Sequence, residues 1–86
     1  MLFMVIERFR DRNPAPIGER FRQKGRMMPD DVHYVASWID PAAAICYQVM
    51  EAPSAAAMQP WIDQWHDLVE FEVIPVQTSH DYWAGR

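Results

Sequence analysis

The 86-residue chain reads as an α+β domain in the order strand, helix, strand, strand, helix, strand. Three observations carry that expectation. Four short segments rich in β-branched, aromatic and bulky apolar residues are set off by Pro, Asp and Ser punctuation. The two long gaps between them place apolar residues at helical spacing. The remaining gap, Asp40-Pro41-Ala42, is short enough only for a hairpin turn.

The first segment, 1–9 (MLFMVIERF), is a continuous apolar run that ends in charge, as a strand covered on both faces would be. Glu7 and Arg8 end it on opposite faces, one toward the helices and one away. Asn13-Pro14-Ala15-Pro16 breaks the chain and opens a helix to about residue 26, with Asn13 as cap and Pro14 at its first position. Ile17, Phe21 and Met28 trace its apolar stripe, and Gly25 helps to end it.

Residues 32–40 (VHYVASWID) form the second strand, with Val32, Tyr34, Ala36 and Trp38 on one face and His33, Val35, Ser37 and Ile39 on the other. Residues 44–51 (AICYQVME) form the third. Its faces, Ile45/Tyr47/Val49 and Cys46/Gln48/Met50, are both poor water faces, so it belongs inside the sheet. Ser54 caps the second helix, and Met58, Trp61, Trp65 and Leu68 form its stripe. Pro60 falls within it, which predicts a kink near 56–59 or two pieces, the second starting at Pro60. Residues 69–78 (VEFEVIPVQT) form the last strand, where Pro75 argues for an edge position or a bulge. The domain spans 1–79, and 80–86 is a C-terminal tail whose Tyr82 and Trp83 are apolar enough to dock on a neighbour.

Two interleaved right-handed βαβ units give a ferredoxin-like βαββαβ fold: a four-stranded antiparallel sheet, first and third strands central, both helices on one face. The other face stays apolar. In so short a chain a second copy is the natural cover, which predicts a homodimer joined sheet to sheet as a dimeric α/β barrel.

Charge is uneven. Residues 1–26 carry seven basic against three acidic side chains, +4, and residues 27–86 carry nine acidic against one basic, −8. The net charge of −4 argues against nucleic acid, and the two halves are expected to face each other within the fold. No apolar run approaches the ~20 residues of a membrane helix. The chain begins inside a strand pattern without a charged leader, and its single cysteine, Cys46, suits the cytoplasm.

The residues also resemble a small bacterial family of unknown function, DUF3303, over about 1–79. The likeness rests on Ile6-Glu7-Arg8-Phe9, Arg20-Phe21-Arg22 with Gly25-Arg26 and Pro29, and Tyr34-Val35-Ala36-Ser37-Trp38. It continues through Cys46-Tyr47-Gln48-Val49-Met50-Glu51, Trp61-Ile62 with Trp65, Asp67-Leu68-Val69, Phe71-Glu72-Val73, and Pro75-Val76 with Thr78-Ser79. Pro60 departs from the pattern. The resemblance implies the dimeric α/β-barrel superfamily, which holds cofactor-free monooxygenases, lactone isomerases, haem-binding proteins and stress proteins. It brings no activity with it.

No cofactor or metal site is expected. His33, His66 and His80 fall on a strand, a helix and the tail, and zinc needs three or four converging ligands. There is no glycine-rich phosphate loop and no nucleophile signature. Three polar residues are catalytic candidates. Glu7 becomes a base if held in an apolar cavity, against an ion-pair role for the Glu7/Arg8 strand end, with Arg8 set to meet Glu70 or Glu72. His33 is a general base or a half-exposed structural histidine. Tyr47 orients a ligand oxygen or is a hydrogen-bonded core tyrosine. Trp38, Trp61 and Trp65 either wall an aromatic-ligand pocket or pack the core. Buried Cys46 is expected to be inert.

Two functions follow. One is a homodimer that binds a small aromatic or anionic molecule between sheet and helices, with cofactor-free monooxygenase- or isomerase-like chemistry. The other is a non-catalytic dimeric interaction or structural module whose contacts are the Tyr82-Trp83 tail and an exposed apolar patch.

Overall fold

The computed structural model describes all residues, Met1–Arg86. The apolar N-terminal run forms β1 (Leu2–Phe9), followed by a 3-10 turn at Arg10–Arg12 and helix α1 (Ala15–Lys24). The Asn13 side chain accepts a hydrogen bond from the Ala15 amide at 3.1 Å, satisfying one of the donors that a helix start leaves free. Strands β2 (His33–Asp40) and β3 (Ile45–Glu51) form the hairpin. In its loop, Asp40 Oδ1 accepts from the Ala42 and Ala43 amides at 3.1 and 3.2 Å. That local turn is why Asp-Pro-Ala reads as punctuation.

The second helical region is shorter than its apolar stripe implies. A 3-10 turn, Ala56–Met58, runs into α2 (Gln59–Asp63), and residues 64–68 continue as turns. Pro60 lies at the start of α2, where its missing N–H breaks no helical bond. Ser54 Oγ accepts from the Ala57 amide at 3.2 Å. Strand β4 (Val69–Val76) follows, and the tail adds a third helix, α3 (Ser79–Ala84), capped by Thr78. The expected pair of helices is thus corrected to three. Thr78 Oγ1 holds the Asp81 amide at 3.0 Å, a local cap followed by helix-compatible residues.

The sheet is antiparallel throughout, in the order β2-β3-β1-β4. Antiparallel register puts opposed residues on one face, so the pairing sorts the side chains. Toward the helices point the rows Ile39–Cys46–Glu7–Phe71, Ser37–Gln48–Val5–Val73 and Tyr34–Met50–Phe3–Pro75. The open face carries Asp40–Ile45–Arg8–Glu70, Trp38–Tyr47–Ile6–Glu72, Ala36–Val49–Met4–Ile74 and His33–Glu51–Leu2–Val76.

The face assignments at the start of β2 are corrected, and His33 lies on the open face with Trp38 rather than with Ser37 and Ile39. A bulge between Tyr34 and Ala36 shifts the register of β2, so Tyr34 shares the helix side with Ser37 and Ile39, away from Trp38. The Tyr34 hydroxyl and Ser37 Oγ, 2.8 Å apart, bridge the bulge.

The core lies between sheet and helices: Phe3, Val5 and Met50 from the strands meet Val32, Ala52, Met58, Trp61 and Trp65. Trp61 stacks edge-on against Phe71 with centroids 5.3 Å apart. The basic first helix reaches the acidic second half as its charges imply. Arg20 grips Asp67 with two bonds of 2.7 and 2.8 Å and also donates to the Gln64 carbonyl. On the open face Arg8 reaches Glu72 at 3.0 Å. No helix is long and apolar enough to cross a membrane.

Candidate functional site

Between α1 and the sheet the core is not filled. A cavity of about 230 Å³, partly open to solvent, is lined by Glu7, Phe9, Ile17, Gly18, Phe21, Arg26, Ile39, Cys46, Gln48, Trp61, Trp65 and Val69. All but Arg26 come from segments already placed. Glu7 and Phe9 point inward from central β1, and Cys46 and Gln48 from central β3. Ile17 and Phe21 are the inward stripe of α1, one turn apart. Trp61 and Trp65 form the far wall, and Trp65 is fixed by its indole N–H donating to the Arg26 carbonyl at 2.9 Å.

Glu7 is the unusual member. Its Oε2 is buried and has no hydrogen-bond partner. Such an atom normally finds a donor, and leaving a carboxylate oxygen without one is costly. Burial pushes the carboxyl from its ordinary 4.5 up to about 7, against the opposing pull of the Arg26 charge. Its occupancy by a proton is therefore divided near neutral pH, as a proton-transfer group requires.

Cys46 lies beside Glu7 in the same row. Burial, then the neighbouring Glu7 charge, raise its thiol to about 11, so the thiolate is scarce at neutral pH. Gln48 is buried and donates its amide to Met50 Sδ at 3.0 Å. Arg26 stands at the cavity rim on the short loop after α1. Gly25 there has φ 68° and ψ −158°, and Met27 has φ 60°. These left-handed angles turn the chain so that the Arg26 guanidinium lies 3.8 Å from the Tyr34 ring centre and 5.2 Å from that of Phe21.

Of the candidates drawn from sequence, Glu7, Trp61 and Trp65 meet at this cavity. Tyr47 and Trp38 oppose each other on the other face of the sheet, Trp38 being 61% exposed. His33 pairs across the hairpin with Glu51 at the far end of that open face, in a shallow polar recess with Met1 and Asp31. Sequence reasoning did not single out Arg26 or Gln48 as site residues. Gln48 shares the parity of Cys46 and Met50, a polar residue amid an inward apolar row, which is a usable signal. Arg26 had the weaker one of following the glycine that ends a helix. No group of three or more His, Cys, Asp or Glu converges in a way that would hold a metal ion.

The architecture is that of a small α+β protein with one sheet–helix cavity holding a partner-free carboxylate oxygen. More narrowly, the chain belongs to a family described as Domain of unknown function (DUF3303), whose model matches residues 1–84. That match takes in the whole of α3 as well as the body. No curated protein and no solved structure matches the chain.

Proposed function

We propose that this protein is a homodimer, each subunit of which binds a compact, single-ring-sized molecule between sheet and helices, with Glu7 moving a proton on it. The observation that carries the reading is the partner-free Oε2 of Glu7 facing a largely apolar cavity. The volume of about 230 Å³ suits the size: a cavity of about 150 Å³ already holds a benzene.

A single base among apolar walls fits isomerisation. Glu7 takes a proton from a carbon next to a carbonyl, the electrons pass into an enolate, and the proton returns at a second carbon. Cofactor-free oxygenation starts with the same deprotonation and then consumes dioxygen, so both chemistries ask the same of Glu7.

Dimerisation belongs to the same proposal and concerns the opposite face. Ile6, Tyr47, Trp38, Met4, Val49 and Ile74 make a continuous apolar centre there with nothing in the chain to cover it. The row at one end holds both signs, Arg8 with Asp40 and Glu70, which suits a self-complementary two-fold contact. A cytoplasmic setting fits the lone buried thiol.

The test is to titrate single-ring phenols and enolisable ketones while following the indole N–H resonances of Trp61 and Trp65 by NMR. Saturable shifts of both, altered in Glu7→Gln, are expected. A panel that moves neither indole overturns the binding reading. A second reading, a non-catalytic interaction module, is favoured by α3, which presents Trp83 68% exposed. If removal of residues 79–86 leaves assembly and ligand titration unchanged, that second reading loses its support.

A further inference from the structure

Resting on the pocket reading above, the geometry points to a small organic carboxylate as the ligand class, held by Arg26 at the rim while its apolar body fills the cavity toward Glu7. Arg26 thereby becomes the specificity-determining residue of the site.

The argument begins with how the chain uses its arginines. Arg8 donates to Glu72, Arg10 to the His66 carbonyl, Arg12 to the Ala42 carbonyl, Arg20 to Asp67 and the Gln64 carbonyl, and Arg22 to Glu19. Arg26 and the terminal Arg86 are the exceptions, with no acceptor within hydrogen-bonding reach, and Arg26 is not a surface residue of no consequence. It is partly buried and lines the cavity. A guanidinium has five N–H donors in a rigid plane. Its Cζ lies 3.8 Å over the Tyr34 ring centre, and none of its donors is spent on a protein acceptor. That is the posture in which arginine takes a carboxylate through two parallel bonds.

The obvious protein acceptor is Glu7, and the two do not pair: no ion-pair contact within 4.0 Å joins them. Yet Arg26 lines the same cavity as Glu7 and Cys46, and its charge acts on both. One largely apolar cavity thus contains a half-buried cation without a hydrogen-bond acceptor and a buried carboxylate oxygen without a donor. A molecule with an anionic end, an apolar middle and a hydrogen-bond donor or acidic C–H at its other end matches all three. The residues on either side of Arg26, Gly25 and Met27, both have positive φ, 68° and 60°.

The experiment compares 4-hydroxybenzoate with 4-hydroxybenzamide, its neutral isostere, on the wild-type protein and on Arg26→Met, by calorimetry with the Trp61 and Trp65 indoles as occupancy markers. The acid is expected to bind the wild type about tenfold more tightly than the amide, as a charge-assisted pair provides. In Arg26→Met that ratio should fall to near one while the amide keeps its affinity, which also shows that the variant's pocket is intact. Equal binding of acid and amide to the wild type overturns the carboxylate inference and leaves the pocket reading standing. A preference that survives in Arg26→Met removes Arg26 from the role. If neither compound binds, the pocket reading falls together with this one.

Discussion

At the residue scale, Glu7 links the site to the stability of the whole chain. Unfolded, its carboxyl ionises near the ordinary 4.5; folded, near 7. Between those values the folded chain holds a proton that the unfolded chain has lost. The contribution is therefore complete below about pH 4.5 and disappears as pH rises through about 7. The shift corresponds to roughly 3 kcal/mol. Urea midpoints are expected to fall between pH 5 and 8 in the wild type and to stay flat in Glu7→Gln, leaving the variant the more stable at pH 8. Parallel profiles would show that Glu7 is solvated. Gly25 gives a second expectation. At φ 68° and ψ −158° a side chain is strained although nothing lies within 4 Å of an added Cβ. Gly25→Ala should cost roughly 1–3 kcal/mol through the backbone alone. It should also displace Arg26, read as a weaker acid-over-amide preference. At this scale the sequence was informative where period two applied: it put Glu7 and Arg8 on opposite faces, and so they are. It could not put Arg26 beside Tyr34, because that contact depends on two left-handed loop residues and a strand bulge, neither of which has a periodic signature.

At the element scale, strand existence and order follow from composition. β1 and β3 are apolar on both faces, and they are the central pair. The hairpin, the Ser54 cap and the two-piece second helix with Pro60 near its start were also legible, because each rests on local chemistry. Two element features were not. The shift at Tyr34 reverses the parity of β2 before and after it, and a two-residue alternation read straight through the bulge groups Tyr34 with Trp38. The helical stripe through Leu68 outran the helix itself, which ends at Asp63 and continues as turns carrying the same inward spacing. Trp61 anchors this segment, 3% exposed, against Phe71 and beside the cavity. Trp61→Ala is expected to destabilise the fold by about 3–5 kcal/mol, a large share of what so small a domain has. Thermal or urea melts check this, and a loss below about 1 kcal/mol would mean that the cavity collapses around the gap. The Arg20–Asp67 pair ties α1 to the turn before β4. Hydrogen bonding from Arg20 holds the Asp67 carboxyl down at about 2, so its contribution is present above the ordinary carboxylate range and is lost as pH falls through about 2.

At the scale of the whole molecule, the body is two layers deep with one sheet face bare. Light scattering after gel filtration is expected to give twice the 10.1 kDa chain mass at micromolar concentration. Tyr47→Glu, at the middle of the bare face, should yield the monomer, since a charge opposed to another copy's apolar centre is left without water or partner. Its effect on the cavity should be small, because Tyr47 lies on the other side of the sheet. A wild-type monomer at that concentration would overturn the assembly.

The two outer strands add a consequence of their own. β2 and β4 both end the sheet, and an unpaired strand margin is a template on which further chains stack. Here β4 contains Pro75, which has no N–H to offer, and β2 is kinked by its bulge near Tyr34. Neither margin presents a regular ladder of donors and acceptors, so sideways growth into fibres is obstructed on both flanks. With both margins obstructed, the proposed face-to-face contact of two copies would close as a pair rather than extend into an open-ended stack.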